Sequence, residues 1–300
     1  MESKSHLPIF VYSTGYDMDL GPHVFPSVKF GQIYKKLKAS SAFRDHTFID
    51  PVPLTLAEAR LVHSRWFIRD LIRLKQSRLL HRSELPLTRP IVDAFFLASG
   101  GSLTAARQAL ASGMGMNLSG GFHHAYGDHA EGFCYLNDVA IAIRALQKEK
   151  KIKNALIIDL DVHQGNGTAK IFAKDSSVFT FSMHEENNYP IKEKGSLDIG
   201  LDTACRDEPY LEKLDAALEQ IRQIFKPDII FYLAGVDPFE KDRLGGLSIT
   251  RKGMGDRDRR VRDFMPGIPK AIVLAGGYAI NTEDTVDLHV QTCEIFAHIK

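Results

Sequence analysis

Runs of apolar residues alternate along the chain with segments whose apolar positions recur every three to four residues. Ile9–Tyr12 and Gly115–Ser119 read as short strands, and Ala155–Leu160, Val178–Met183, Ile229–Ala234 and Ala271–Ala275 as strands apolar almost throughout. Between them, Phe25–Leu37, Asn137–Leu146, Tyr210–Phe225 and a stretch within Thr282–Ile299 have helical spacing, with Pro227 stopping the third. Thr55-Leu-Ala-Glu58 has the pattern of a capping box and predicts a helix running through Trp66 toward Leu74. The Gly100-Gly101 pair interrupts another helical region and reads as a break between helices.

Strands alternating with helices predict βαβ units, hence an α/β fold with a mostly parallel sheet. Strands without a polar face predict helical layers on both sides. No repeat, low-complexity stretch or long linker divides the 300 residues, so residues 1–300 read as a single domain.

Composition narrows the function classes. Apolar residues make up 44% of the chain, enough for a sizeable core, and 38 basic against 37 acidic residues leave a net charge of +1. That balance supplies no global field for nucleic acid, so no direct nucleic-acid binding is expected. The clusters Lys148–Lys153 and Arg257–Arg262, the second interleaved with Asp256, Asp258 and Asp263, read as solvated faces. No run approaches the ~20 apolar residues of a membrane span, and Met1–Phe10 lacks the apolar stretch of a signal peptide. Cys134, Cys205 and Cys293 form no CxxC pair, so neither a disulfide framework nor a thiolate zinc site is expected, and a reducing, cytoplasmic location fits.

The chemistry concentrates where apolar strands end. In Ile157-Ile-Asp-Leu-Asp-Val-His163, Asp159, Asp161 and His163 are spaced i, i+2, i+4, so a continuing strand would turn all three to one face. Two carboxylates and an imidazole in a core strand are costly unless a cation neutralises them. Phe231–Asp237 repeats the design of apolar strand, glycine and carboxylate. Ligands of parallel α/β sheets bind outside the carboxyl ends of the strands, so Asp237 could complete a three-ligand site with one position left open. Taken alone, Asp237 reads rather as a turn or cap residue. Gly120-Gly-Phe-His-His124 puts two imidazoles, suited to proton transfer, in a glycine-rich loop, while nearby His129 reads as an unrelated loop residue. Gly276-Gly-Tyr278 brings a hydroxyl that could donate to an oxyanion, although an isolated tyrosine is more often a packing residue. Together these strand ends offer a metal-activated water, a base, an acid and an oxyanion donor.

The motifs Gly120–His124, Gly132–Asp138, Asp159–His163, Gly235–Asp237 with Asp242–Gly246, and Gly276–Tyr278 occur in the order found in the zinc-dependent histone deacetylase superfamily, which the chain resembles from Tyr12 to its C-terminus. Asp161-Val-His-Gln-Gly-Asn166 and His23-Val-Phe-Pro26 look most like its class IV branch and bacterial relatives. The resemblance implies an arginase-like fold, a parallel sheet between helical layers. It implies that Asp161, His163 and Asp237 bind the catalytic metal, zinc or ferrous iron. It makes His123 and His124 the proton-transfer pair, with Asp159 orienting His123, Asn166 partnering His124 and Tyr278 polarising the substrate carbonyl. Gly132, Phe133, Tyr189 and Leu244 would line the acyl tunnel. A structural potassium or sodium ion would sit near Asp159, Asp161, His163, Ser182 and Met183.

The implied activity is hydrolysis of an acyl group, acetyl or a longer fatty acyl chain, from lysine in a protein or peptide; the class IV likeness is what brings the longer chains into view. Acetylpolyamine hydrolysis by the same machinery is the neighbouring alternative. An inactive acyl-lysine binding protein would lack a ligand, a histidine or the tyrosine, and a two-manganese arginase-like enzyme would need more bridging ligands. Many members carry aspartate where this chain has Asn166; the missing negative charge should lower the His124 pKa.

Overall fold

A computed structural model describes residues 7–299. Its centre is an eight-stranded sheet in the order β2-β1-β3-β8-β7-β4-β5-β6, in which every neighbouring pair is parallel. The strands are β1 (Ile9–Val11), β2 (Phe48–Ile49), β3 (Met114–Asn117), β4 (Ala155–Asp159), β5 (Val178–Glu185), β6 (Leu197–Leu201), β7 (Ile229–Leu233) and β8 (Lys270–Val273). Every residue of β4, β7 and β8 is buried, as two-sided cover requires. The edge strands β2 and β6 are short or partly exposed and carry no continuous apolar run, which is why sequence patterning did not reveal them.

The helices are α1 (Lys29–Ala39), α2 (Leu56–Ala59), α3 (Arg65–Ile72), α4 (Arg78–His81), α5 (Arg89–Ser112), α6 (Asp138–Lys148), α7 (Asn166–Phe172), α8 (Asp207–Ile224), α9 (Arg251–Asp263) and α10 (Thr282–Phe296). Helix α5 packs on β1, β3, β8 and α6, while α1, α10, α9 and α8 pack one against the next. The result is an α/β fold of the expected layered kind, with the sheet flanked by helices.

Three local expectations are corrected. The capping box at Thr55 forms, but the helix it opens ends at Ala59; Ser64 caps a second helix, its hydroxyl accepting from Phe67 N. Gly100-Gly101 does not break a helix: α5 runs through both residues. A Cβ on Gly100 would lie 1.9 Å from the carbonyl oxygen of Val52, and one on Gly101 would lie 2.1 Å from the Tyr16 hydroxyl. The glycines let α5 press against the Val52 backbone and the Tyr16 and Asn117 side chains. Finally, the Arg257–Arg262 cluster is not a uniformly solvated face. It forms part of α9, where Arg257 is 0% and Asp258 1% exposed, while Arg259 and Arg260 point outward to Asp256 and Asp215.

Candidate active site

Strand order explains how residues distant in sequence meet. The loops after β3, β8, β7 and β4, four consecutive strands, carry His123 and His124, Tyr278, Asp237, and Asp161 with His163. Asp159 is the last residue of β4; Asp161 and His163 lie in the turn beyond it. The alternation of a continuing strand is thus not what aligns them. Asp159 Oδ1 accepts from Asp161 N, and Asp161 Oδ1 accepts from His163 N, so each carboxylate folds the next step of the turn.

Single ligating atoms of Asp161, His163 and Asp237 lie within 4.8 Å of one another, and all three residues are buried. His163 Nδ1 is 3.1 Å from Asp161 Oδ1 and 3.4 Å from Asp237 Oδ2. Burial opposes a charged His163, but its hydrogen bond to Asp161 and the attraction of both aspartates outweigh it and lift its pKa to about 10. Burial, then repulsion from Asp161, raises Asp237 to about 7. Metal would take the place of the proton that this arrangement draws in. Asp237 Oδ2 has no hydrogen-bond partner among the described residues. A Cβ on Gly276 would stand 2.3 Å from that oxygen and 2.5 Å from Asp161 Oδ2, so only glycine leaves the space open. Two carboxylates and one imidazole fit a divalent transition-metal ion with an open position.

The histidines lie side by side at this cluster with their rings tilted, His123 Nε2 standing 3.1 Å from His124 Nε2. His123 Nδ1 is 2.7 Å from Asp159 Oδ2. Burial disfavours its charge, yet Asp159 and Asp161 raise its pKa to about 9. His124 has the opposite environment. Burial and then the neighbouring His123 and His163 hold its pKa well below 6.5, and Asn166 Oδ1 lies 2.9 Å from its Nδ1. One ring is therefore favoured as imidazolium and the other as the neutral base, the separation that acid and base roles need.

These groups open into a cavity of about 220 Å³. Gly132, Phe133, Tyr189 and Leu244 line it together with Phe25, and Tyr278 stands in its wall. Phe133 and Tyr278 meet edge to face, 6.0 Å between ring centres. Burial and then the nearby aspartates push the Tyr278 hydroxyl well above its ordinary pKa, so it stays a donor. Asp242 sets the tyrosine and Leu244 together: its carboxylate accepts from Tyr278 N at 2.7 Å and Leu244 N at 2.8 Å.

Ser182 and Met183 lie on β5, Ser182 paired with Asp159 across the sheet, so they sit one strand away from the turn that carries Asp161 and His163. His129 stays outside the cavity, stacked on Tyr126. Sequence reasoning missed three contributors. Lys29, fully buried, donates to Ala275 O at 2.8 Å behind the tyrosine loop. Arg257 donates to Gly235 O at 2.6 Å and Leu160 O at 3.3 Å, tying the two ligand-bearing turns. Glu84, exposed, lines the cavity mouth. Sequence spacing carries a signal for none of them, because their partners lie far along the chain.

Several known proteins resemble this chain over most of its length. The chain is 39% identical over 271 residues to an uncharacterised protein of Picosynechococcus, covering 89% of this chain and 90% of that one. It is 32% identical to the acetoin utilization protein AcuC of Bacillus subtilis, over 81% and 69% of the two chains. It is 30% identical to histone deacetylase 2 of Arabidopsis thaliana, over 89% and 74%. A solved structure of a histone deacetylase homologue complexed with SAHA superposes with a TM-score of 0.84 at 22% identity, covering 98% of this chain and 84% of that one, which shows the shared fold. A histone deacetylase domain matches residues 23–293, and by that span the chain belongs to the histone deacetylase family.

Proposed function

We propose that residues 1–300 form one catalytic domain, a metal-dependent amidohydrolase that removes acyl groups from the ε-amine of lysine in proteins or peptides. Family membership supports a deacetylase-type hydrolase. The observation that carries the finer reading is that one cavity is lined by Asp161 and His163 of the Asp–His–Asp cluster, by a histidine pair of split basicity and by Tyr278.

Asp161, His163 and Asp237 would hold zinc or ferrous iron, both of which accept nitrogen and oxygen ligands. A divalent ion there supplies Lewis acidity, polarising a carbonyl and acidifying a water. Neutral His124 takes a proton from the attacking water, and His123, held as imidazolium by Asp159, returns one to the leaving amine. Tyr278 donates its hydroxyl hydrogen to the oxygen that gains charge. Asn166 keeps His124 oriented. Gly132, Phe133, Tyr189 and Leu244 exclude water around the acyl chain. A structural potassium or sodium ion beside Asp159, Asp161, His163, Ser182 and Met183 would brace the turn after β4.

A second reading, acetylpolyamine hydrolysis, draws support from the exposed Glu84 carboxylate at the mouth, where a distal ammonium would bind. The deciding experiment is a turnover panel of acyl-lysine peptides from acetyl to myristoyl, beside acetylated polyamines, with metal-loaded and chelated protein. Turnover of acyl-lysine by the loaded protein alone is expected, with long chains preferred if the class IV likeness extends to substrate. Hydrolysis of polyamines only would transfer the assignment to the second reading. Inertness toward both would leave an acyl-lysine binding protein.

A further inference from the structure

Asn166 does more than replace an aspartate. Its Oδ1 accepts from His124 Nδ1 at 2.9 Å and from Gly167 N at 2.9 Å. Its Nδ2 donates to Glu131 Oε1 at 2.8 Å and to the Tyr126 hydroxyl at 3.1 Å. The Gly167 N–H on one side and the Glu131 carboxylate on the other fix which end of the amide is oxygen. With oxygen facing the ring, His124 Nδ1 must carry the proton and Nε2 the lone pair. Glu131 itself is 4% exposed and ion-paired through Oε2 to Arg82 at 2.5 Å, so it is anchored on the side away from the amide.

We propose that Glu131 is a positioning residue: it locks the Asn166 amide and thereby holds His124 in the tautomer whose Nε2 is free to act as base. The carboxylate that many family members place directly against this histidine stands here one link further out. The chain reads His124 Nδ1–H to Asn166 Oδ1, then Asn166 Nδ2–H to Glu131 Oε1, so an amide and a carboxylate share the work of a lone aspartate. Asn166→Asp is consequently not a neutral isosteric change. It sets a second carboxylate against Glu131 with no proton between them. Exchanging the two groups, as Asn166→Asp with Glu131→Gln, restores one donor and one acceptor at that contact and conserves net charge.

The activity arm of the test rests on the hydrolytic reading above; the spectroscopic arm does not. In metal-loaded protein with ¹⁵N-labelled histidine, the ring nitrogens of His124 should report the Nδ1–H tautomer, and Glu131→Ala should convert it to a mixture. On the acyl-lysine substrate, Glu131→Ala should lower kcat by about tenfold with KM changed less than about twofold. Asn166→Asp alone should lose at least about tenfold in kcat, and the exchanged pair should recover to within about threefold of the parent, a coupling well outside additivity. Metal content and thermal midpoint accompany each variant, so a folding defect is not mistaken for a lost tautomer. An unchanged His124 tautomer in Glu131→Ala overturns the proposal whether or not the parent hydrolyses any substrate. An active parent whose exchanged pair is no better than the product of the single changes overturns it as well. A parent without turnover but with the tautomer shift defeats the hydrolytic reading and leaves the positioning role standing.

Discussion

Oδ2 of Asp237 stands 3.4 Å from Nδ1 of His163, fully buried, and accepts no hydrogen bond among the described residues. Leaving a buried charged oxygen unpartnered is costly, which an arriving cation would relieve. Asp237→Ala is therefore expected to abolish metal uptake and turnover while preserving the circular dichroism spectrum of the parent. Metal analysis and a peptide assay check it; a metal-free preparation with full activity would contradict the assignment.

Tyr278 is the only hydroxyl placed in the cavity wall by the β8 loop, and its elevated pKa keeps it protonated. Removing one oxyanion donor typically costs about 10²–10³ in kcat. Tyr278→Phe should show that loss with the metal retained, and a variant with parental kcat would remove the tyrosine from the mechanism.

His63 offers a stability test remote from the metal cluster. Its Nδ1 donates to Tyr126 O at 2.9 Å and its Nε2 accepts from Asn137 N at 3.0 Å, so a second ring proton has no acceptor. Burial lowers its pKa to about 4. A folded value below the unfolded ~6.5 means that the unfolded chain binds the proton more tightly. The stability contribution is complete above about pH 6.5 and is lost as pH falls toward about 4, amounting to about 3 kcal/mol at the limit. Urea midpoints of the parent should fall more steeply than those of His63→Gln between about pH 7.5 and about pH 5. Equal slopes would show that His63 does not titrate in this way.

Gly100→Ala should reverse the usual effect of alanine in a helix. Alanine is ordinarily favoured over glycine by about 1 kcal/mol. Here the added Cβ would stand 1.9 Å from Val52 O, and overpacking of that kind costs about 1–3 kcal/mol. A lowered denaturation midpoint is expected; a raised one would mean that α5 and the Val52 segment can separate without penalty.

The parts of this molecule that were legible in its sequence are those whose signal is local. The strands β4, β7 and β8 announce themselves as apolar runs because both of their faces are covered, and the carboxylate and glycine beyond each run mark its carboxyl end. The edge strands do not, since Phe48–Ile49 is only two residues and Leu197–Leu201 alternates polar positions with a half-exposed face. Nothing local marks Arg257 and Asp258 as buried, because their partners are Leu160, Gly235, Tyr232 and Thr292, which no window of sequence brings near. Glu131 was invisible for the same reason: next to the Gly132-Phe133 motif it is one acid among many until Asn166 is seen beside it.

The sheet order carries a consequence for how the protein is made. Without β8, its strands fall into two separate ribbons, β2-β1-β3 and β7-β4-β5-β6. The histidine pair follows a strand of the first ribbon, and Asp161, His163 and Asp237 follow strands of the second. Met114 on β3 and Ile230 on β7 both find their neighbour in Lys270. Until β8 is translated, the facing edges of β3 and β7 therefore have no strand between them to pair with. Pairing of β8 with both edges joins the ribbons and brings the histidine pair beside Asp161, His163 and Asp237, so a chain lacking β8 would leave two edges unpaired, the condition that invites edge-to-edge aggregation.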